Sequence, residues 1–404
     1  MLYYLVRPVA RHVLSYYFKE IEITGLEHIP KDAPVILAAN HPTAFLEPCI
    51  MACFQPRVLH FLARGDLFVN QLASVTLRGL NMLPVYRIQD GGYGKLTENY
   101  ATFRECYTAL AGRKALMILA EGRCIHEKRL RTLRKGTARI ALGALDSDSA
   151  IPEVYIVPVG VNFTAAAKVR SSVMIRCGAP LRASAYLAGF RHNEAAGIRE
   201  LTGDLEAALS AQVIRFPERD SDDLYESRVT VLRELAVNST AGSADSRDRL
   251  ERELTGLAGY SPDDHRSLRY AARLQQNGIT DAGLMAGGKG KKFPRMGLLA
   301  VLLLVPQLPL WMLAEVIALK GPKTIEFYSP VRFATVAVGT LLYLPLLFLL
   351  PFWLSAYLVV STILTRWSLR QIDALLLWRE AALAAKLSLP EKEILLEMRR
   401  ILLD

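Results

Sequence analysis

The chain has 404 residues, of which 51% are hydrophobic, and a formal net charge of +10 at pH 7. This length allows one large domain or two to three smaller ones, and the positive charge suits anionic partners such as phosphorylated substrates or acidic lipids. Nucleic acid is a weaker candidate, because the sequence has no zinc-finger spacing, RNP-type aromatic motif or basic zipper. The five scattered cysteines suggest no disulfide framework and indicate a reducing compartment.

Residues 1–19 do not form a secretory signal, since Arg7, Arg11 and His12 interrupt the apolar positions. The segment predicts an amphipathic helix that lies on the face of a bilayer. A first helix that packs into a protein core has the same pattern, so this alternative stays open.

Residues 20–190 predict an α/β domain, because short apolar runs alternate there with helical patterns. We expect a mixed sheet with flanking helices. The predicted helices between the strands include Tyr100–Arg113 and Gly136–Leu145. The predicted strands are Glu20–Thr24, Val35–Ala39, Val58–Ala63, Met82–Tyr86, Ala115–Leu119, Ile156–Val161 and Val173–Cys177.

Residues 191–294 form a charged, alanine-rich region with helical spacing at Leu201–Val213 and Arg247–Leu257. Asn238–Ser243 predicts a break between helices. The region carries no catalytic motif, so we expect a helical spacer or a cap over the first domain.

Two apolar segments, 296–319 and 331–364, predict a C-terminal transmembrane hairpin, the second segment being long, bent or partly interfacial. Basic residues outside the hairpin place both flanks in the cytoplasm, although the cations between the segments weaken that orientation. Two buried core helices are the alternative. We therefore expect the cytoplasmic (inner) membrane, with the α/β domain on the cytoplasmic side. Residues 365–404 predict an amphipathic helical tail with a break at Pro390.

Asn40, His41 and Pro42 follow the predicted strand Val35–Ala39 directly, and Glu47 comes six positions after the histidine. An imidazole titrates near neutral pH and can accept a proton from an alcohol, while a carboxylate on its other nitrogen fixes the tautomer. A separation of six does not align a helix face, so a turn must bring the pair together. On spacing alone, a purely structural pair fits as well.

Glu121, Gly122 and Arg123 follow the predicted strand Ala115–Leu119, and a basic run that includes Lys135 comes next. Glycine lets the backbone turn close to a ligand, and the arginine fork suits phosphate. A solvated basic face is the alternative, and acidic lipid headgroups would meet the same charges.

Two further strands carry polar or unusual residues. The strand Met82–Tyr86 is followed by Arg87, and the strand Ile156–Val161 contains Pro158 and Gly160. Because proline cannot donate to a ladder, Pro158 predicts an edge strand or a bend that lines a tunnel.

These four blocks, in this order, resemble those of the glycerolipid acyltransferases, the family of lysophosphatidate and glycerol-3-phosphate acyltransferases and tafazzins. The resemblance covers about residues 1–185. It implies an acyltransferase domain in which each block has a role. The resemblance implies that His41 is the base and that Glu47 orients it, with Asn40 and Pro42 in the same block. It implies that the substrate phosphate is bound by Arg87, Glu121, Gly122, Arg123 and Lys135. It places Pro158 and Gly160 on the acyl side.

The chain departs from the usual family pattern in two places. Five residues separate His41 from Glu47 instead of four, and the acid is Glu instead of Asp. Arg123 also follows Gly122 directly, without the usual Thr. The fungal-type glycerol-3-phosphate and dihydroxyacetone-phosphate branch is similar in having five residues between the histidine and the acid. It also resembles this chain in residues 121–126 and 133–138, and in carrying C-terminal membrane spans.

The resemblance implies transfer of a fatty acyl group from acyl-CoA or acyl-carrier protein to a hydroxyl of glycerol-3-phosphate or 1-acylglycerol-3-phosphate. We expect membrane lipids and a small phosphorylated acceptor as partners, and no metal, no cofactor beyond the acyl donor and no nucleic acid. A non-phosphate lyso-aminolipid acceptor and a catalytically silent lipid-binding protein are the alternatives. A transporter is disfavoured, because we expect two spans and no charge pair within them.

Overall fold

The computed structural model describes residues 2–86, 98–127, 129–214, 222–239, 265–287, 295–343 and 345–403. Its strands form one sheet in the order β1-β7-β6-β2-β5-β3-β4, with β8 paired to β6. Neighbours are parallel except where β6 meets β7 and β8. The expected mixed sheet is therefore confirmed. The strands are β1 (Glu20–Thr24), β2 (Val35–Ala39), β3 (Leu59–Arg64), β4 (Met82–Val85), β5 (Ala115–Leu119), β6 (Tyr155–Phe163), β7 (Ser172–Cys177) and β8 (Leu181–Arg182).

The central strand β2 is buried on both faces. Val35, Leu37 and Ala39 point into one core, and Ile36 and Ala38 point into the other, because side chains alternate along a strand. Helices cover both faces, as parallel strands require. The helices of this part of the chain are α1 (Leu2–Tyr17), α2 (Leu46–Phe54), α3 (Gln71–Gly79), α4 (Glu98–Ala111), α5 (Gly136–Ser147), α6 (Leu187–His192) and α7 (Glu194–Ser210).

The expectation that Pro158 marks a sheet edge is wrong, because β6 lies between β7 and β2. On one side of β6 the ladder with β8 stops at Ile156 and the ladder with β7 starts at Val159. Pro158 occupies the gap between these ladders, where no strand needs its missing N–H. An interior strand therefore accommodates a proline without losing a ladder hydrogen bond.

Helix α1 lies partly in the protein core, the alternative that its pattern left open, whereas its contact with a bilayer stays a prediction. Its C-terminal half is in the core, where Val13, Leu14 and Tyr17 are fully buried. Its N-terminal half exposes Tyr4 and Leu5 to the surroundings. The helix is thus anchored to the sheet domain at one end and presents apolar side chains at the other.

The sheet domain extends beyond the predicted boundary at residue 190. Leu201, Leu205 and Leu209 of α7 recur at helical spacing and pack in the same core as Ile36 and Ala38 of β2. The next helices are α8 (Asp222–Ser239), α9 (Arg266–Gln276) and α10 (Asp281–Ala286), which share a separate small core. The predicted helix Arg247–Leu257 and most of the predicted break lie outside the described residues.

Two helices, α11 (Gly297–Lys320) and α12 (Ile325–Leu349), are long and apolar enough to cross a membrane by length and composition. The remaining helices are α13 (Phe352–Ala385) and α14 (Leu389–Leu403). The predicted second span, 331–364, thus divides between α12 and α13, because Pro351 cannot continue a helix. The first part of the predicted tail continues α13.

The expectation of no charge pair between the apolar segments is wrong. Glu315 of α11 and Arg332 of α12 form an ion pair with an Nε–Oε2 distance of 2.7 Å. Arg332 also donates to the carbonyl oxygen of Ala167 in the sheet domain at 3.1 Å. The pair therefore lies where the helices meet the sheet domain, and Nη2 of Arg332 also donates to Oε1 of Glu315 at 2.9 Å.

Candidate active site

The residues that follow β2 begin a loop at the carboxyl edge of the sheet. The side chain of Asn40 donates to the carbonyl oxygen of Val161 at 2.9 Å and accepts from its N–H at 2.7 Å. The N–H of Ile125 donates to the carbonyl oxygen of His41 at 3.2 Å. These bonds join the loop to β6 and to the segment after β5, so its direction is fixed.

Glu47 closes this loop from the first turn of α2, where it is fully buried. Its Oε1 accepts from the Thr43 N–H at 2.6 Å, and its Oε2 accepts from the Thr43 hydroxyl at 3.0 Å. The same Oε2 lies 3.9 Å from Nδ1 of His41, whose side chain is 11% exposed. This is an ion-pair distance, longer than a hydrogen bond. The turn at Thr43 thus brings together two residues that are six apart.

Glu121 is also buried, two residues beyond the end of β5. Its carboxylate accepts from Arg131 and from the main-chain N–H of His41. Burial raises the pKa of the Glu121 carboxyl, and Arg131 opposes that rise. The carboxylate therefore holds the histidine loop in place, and its negative charge does not suit a contact with phosphate.

The turn after Glu121 needs glycine. Gly122 has a φ of +75°, and a Cβ there would lie 2.8 Å from Cγ of Arg134. The turn leaves the side chain of Arg123 exposed, while its carbonyl oxygen accepts from Arg131 at 2.6 Å. Lys135 is exposed as well and directly precedes α5. Two of the predicted phosphate ligands are therefore free to meet an anion from solvent.

A cleft opens beside the histidine loop. Asn40 and Pro42, the residues on either side of His41, form part of its wall. Much of the remaining wall is apolar, which suits a hydrocarbon chain beside a polar reacting group. The other lining residues are His126, Glu127, Val161, Asn162, Phe163, Ala166, Val213, Ile214 and Val229.

Sequence analysis assigned no role to His126, which lies in this wall. Nε2 of His126 lies 3.0 Å from Oε1 of Glu226 in α8, and its main-chain N–H donates to Oε1 of Glu326 at 3.2 Å. Its place five residues after Glu121 was the only available signal, because both partners are at least 100 residues away along the chain. His126 ties the cleft to α8 and to the start of α12.

The two residues expected on the acyl side, Pro158 and Gly160, lie in β6 before the part of the strand that lines the cleft. A Cβ on Gly160 would lie 2.1 Å from the carbonyl oxygen of Gln212, so glycine allows the end of α7 to approach β6. Pro158 accepts at its carbonyl from the Gly178 N–H at 2.8 Å. The part of β6 that lines the cleft begins at Val161. Arg87 lies outside the described residues.

The carboxyl ends of β2 and β5 thus place a histidine with a buried carboxylate beside it, and a segment with exposed cations, at one edge of the sheet. Residues 20–162 match the family model described as Acyltransferase. The matched segment begins with β1 and ends inside β6, so it contains the histidine loop and the turn after β5. It covers roughly a third of the chain. The expected acyltransferase domain with a mixed sheet is therefore confirmed, whereas the resemblance to the fungal-type branch stays a prediction.

Among solved structures, the chain is similar to the 1-acyl-sn-glycerophosphate (LPA) acyltransferase PlsC from Thermotoga maritima. The two are 18% identical, with a TM-score of 0.37, over 52% of this chain and 78% of that one. No curated protein matches the chain.

Proposed function

We propose that this protein is an O-acyltransferase that moves a fatty acyl group from acyl-CoA or acyl-carrier protein to a hydroxyl of glycerol-3-phosphate or 1-acylglycerol-3-phosphate. One observation carries the proposal. Nδ1 of His41 lies 3.9 Å from the buried carboxylate of Glu47, within a segment that matches an acyltransferase family, and Asn40 and Pro42, its neighbours in the chain, line a cleft.

His41 acts as the general base. Its Nδ1 faces Glu47, so Nε2 is the nitrogen left for the acceptor hydroxyl. As the hydroxyl oxygen bonds to the thioester carbonyl carbon, His41 takes the hydroxyl proton, and the C–S bond then breaks. The proton passes from His41 to the departing thiolate, so the products are an ester and a thiol, and no acyl-enzyme is formed. Glu47 stabilises the imidazolium while it carries the proton.

Arg123 and Lys135 bind the phosphate of the acceptor, and Arg87 is assigned to it from the sequence pattern. The first two are exposed cations on the segment that follows β5. Glu121 has a positioning role, because its carboxylate holds the His41 N–H and Arg131. The apolar part of the cleft wall takes the acyl chain.

A panel of acceptors and donors tests the proposal. Purified protein in lipid vesicles is incubated with labelled acyl-CoA or acyl-carrier protein and with glycerol-3-phosphate, 1-acylglycerol-3-phosphate or a lyso-aminolipid. We expect labelled ester only with the phosphorylated acceptors, and far less of it with His41→Ala. Transfer to the lyso-aminolipid alone would show that the acceptor is not a phosphorylated glycerol. Vesicle binding without transfer to any acceptor would show that the protein binds lipid but is not an acyltransferase.

A further inference from the structure

The link between the two apolar helices lies against the sheet domain. The N–H of Ala44, in the histidine loop, donates to the carbonyl oxygen of Glu326 at 3.1 Å. The side chain of Glu326 accepts from the His126 N–H at 3.2 Å, and the hydroxyl of Tyr17 contacts Ser329. The end of α11 and the beginning of α12 are therefore on the side of the membrane that holds the site.

The segment before α11 is on that side too. Asn238 of α8 donates to Asp281 of α10 at 2.7 Å. Further along α8 towards its N-terminus, Arg233 pairs with Glu20 and Glu22 of β1 at 2.8 and 3.1 Å. Gly297, the first residue of α11, lies beside Leu375 of α13, two residues from Asp373, which pairs with Arg170 of the sheet domain.

The chain also returns to the sheet domain after the apolar region. Asp373, in the second half of α13, forms an ion pair with Arg170. Glu380, two turns later, accepts a hydrogen bond from Thr280, just before α10. Both ends of the apolar region, and the link inside it, are thus bound to one folded unit.

This arrangement limits how the helices can meet a bilayer. The sheet domain carries exposed ion pairs such as Arg78–Glu105 and Arg191–Asp146, so it belongs in water on one side. The hydrocarbon core is about 30 Å thick, and a helix that crosses it once separates its flanks by that distance. Since both flanks of α11 contact the same domain, α11 does not cross.

The turn in which α12 ends and α13 begins, residues 345–353, has only apolar side chains apart from the indole N–H of Trp353. Phe348 is 93% exposed and Phe352 is 87% exposed, and Leu349 and Trp353 beside them are exposed as well. A turn that emerged into water on the far side would place these side chains in solvent, at a cost that grows with apolar area. Hydrocarbon is the environment that fits Pro345–Trp353.

Some polar groups in and beside this turn are bonded to one another, which suits hydrocarbon. The Leu350 N–H donates to the carbonyl oxygen of Leu347 at 3.2 Å, and the Ser355 hydroxyl donates to the same oxygen at 2.7 Å. Pro345 and Pro351 have no N–H to satisfy. The Leu350 N–H, the Ser355 hydroxyl and the Leu347 carbonyl oxygen therefore need no water.

We propose that the protein binds a lipid bilayer from one face only. Helices α12 and α13 enter the hydrocarbon and return without crossing it, with Pro345–Trp353 as the deepest part, and α11 lies on the same face. This topology differs from the transmembrane hairpin expected from the sequence, which would put the link at 321–324 on the opposite face. It does not depend on acyl transfer.

Labelling of single introduced cysteines in sealed vesicles of one orientation tests the topology. The exposed residues Lys31, Lys323 and Lys386 mark the sheet domain, the link and the end of α13. We expect Lys31→Cys, Lys323→Cys and Lys386→Cys to react with a membrane-impermeant maleimide from the same face, and Phe348→Cys to react from neither. Reaction of Lys323→Cys only from the opposite face, or of Phe348→Cys from that face, would overturn the proposal.

The native protein serves as the labelling control, because its thiols react poorly. Burial raises the pKa of Cys53, Cys106 and Cys177 to about 12, so these thiols remain protonated near neutral pH. Burial also raises the pKa of Cys49 and Cys124. Any reaction above the native level therefore reports the introduced cysteine.

A matched pair of leucines tests the depth of the turn. Leu349 and Leu389 are 80% and 78% exposed, but Leu389 begins α14, beyond the return of the chain to the sheet domain. We expect Leu349→Asp to weaken binding to phosphatidylcholine–phosphatidylglycerol vesicles roughly 100-fold and Leu389→Asp to leave it unchanged. Equal binding of both variants to the vesicles would overturn the proposal. A Leu349→Asp protein that binds vesicles normally but changes its oligomeric state in detergent would overturn it too, because the turn would then contact a second copy.

Discussion

The two loops that follow β2 and β5 reach the same edge of the sheet but are held in different ways. The loop after β2 is closed by its own side chains and main chain, and its carboxylate is fully buried. The segment after β5 is fixed at Glu121 and then exposes Arg123 and Lys135. Proton transfer depends on fixed distances, whereas capture of a charged substrate depends on cations that solvent can reach. We therefore assign chemistry to the first loop and binding to the second.

The largest expected effect separates these assignments most clearly. His41→Ala should lower kcat by about 10²- to 10⁴-fold, the range for loss of a general base. The phosphate-bearing segment is untouched, so the KM for the acceptor should change little. Steady-state kinetics with labelled donor measure both constants, and thermal unfolding shows whether the variant is folded. A kcat equal to that of the native protein would remove His41 from the chemistry.

Glu47→Gln should have the second largest effect. The amide keeps the shape of the side chain but loses the charge that stabilises the imidazolium, so we expect kcat to fall roughly 10- to 100-fold. Glu153→Gln is the matched control, because Glu153 is also buried and hydrogen-bonded but precedes β6 at the opposite edge of the sheet. Equal losses in both variants would assign Glu47 to folding alone.

Arg123→Ala and Lys135→Ala test the binding half of the comparison. Each should raise the KM for a phosphorylated acceptor by about 10-fold, with kcat changed much less, because one charged hydrogen bond is lost. Arg191→Ala is the control, since Arg191 is an exposed cation that pairs with Asp146 at the other end of α5. If all three variants raise KM equally, the effect is general electrostatics and not a phosphate site.

The smallest expected effect on catalysis concerns Gly160 of β6, which lies outside both loops. Gly160→Ala would press a methyl group against the Gln212 carbonyl and should lower the free energy of unfolding by ~1–3 kcal/mol, with little change in kcat for the fraction that folds. Gly203→Ala in α7 meets no atom within 4 Å and should be neutral or slightly stabilising. Denaturant titration of both variants measures the difference, and equal stabilities would show that β6 and α7 are not in close contact.

Local patterns predicted the strands well because each is a short apolar run with a clear boundary. Val35–Ala39 and Ala115–Leu119 have the predicted limits, and each is followed by the polar residues of the candidate site. The order of the four blocks was enough to identify the acyltransferase segment that the family model matches. These features depend on residues that are close along the chain.

Contacts between distant residues were decided by the tertiary structure alone. The partners of His126 are Glu226 and Glu326, and no periodicity connects positions 100 residues apart. The interior position of Pro158 depends on where two other strands end, and the membership of α7 in the sheet domain depends on which face of the sheet was left to cover. The sequence by itself determined which segments are strands, helices and apolar, because those properties follow from local side chains and their spacing. Only the tertiary structure decided that both ends of the apolar region contact one folded domain, because those contacts are hydrogen bonds and ion pairs between residues far apart in the chain.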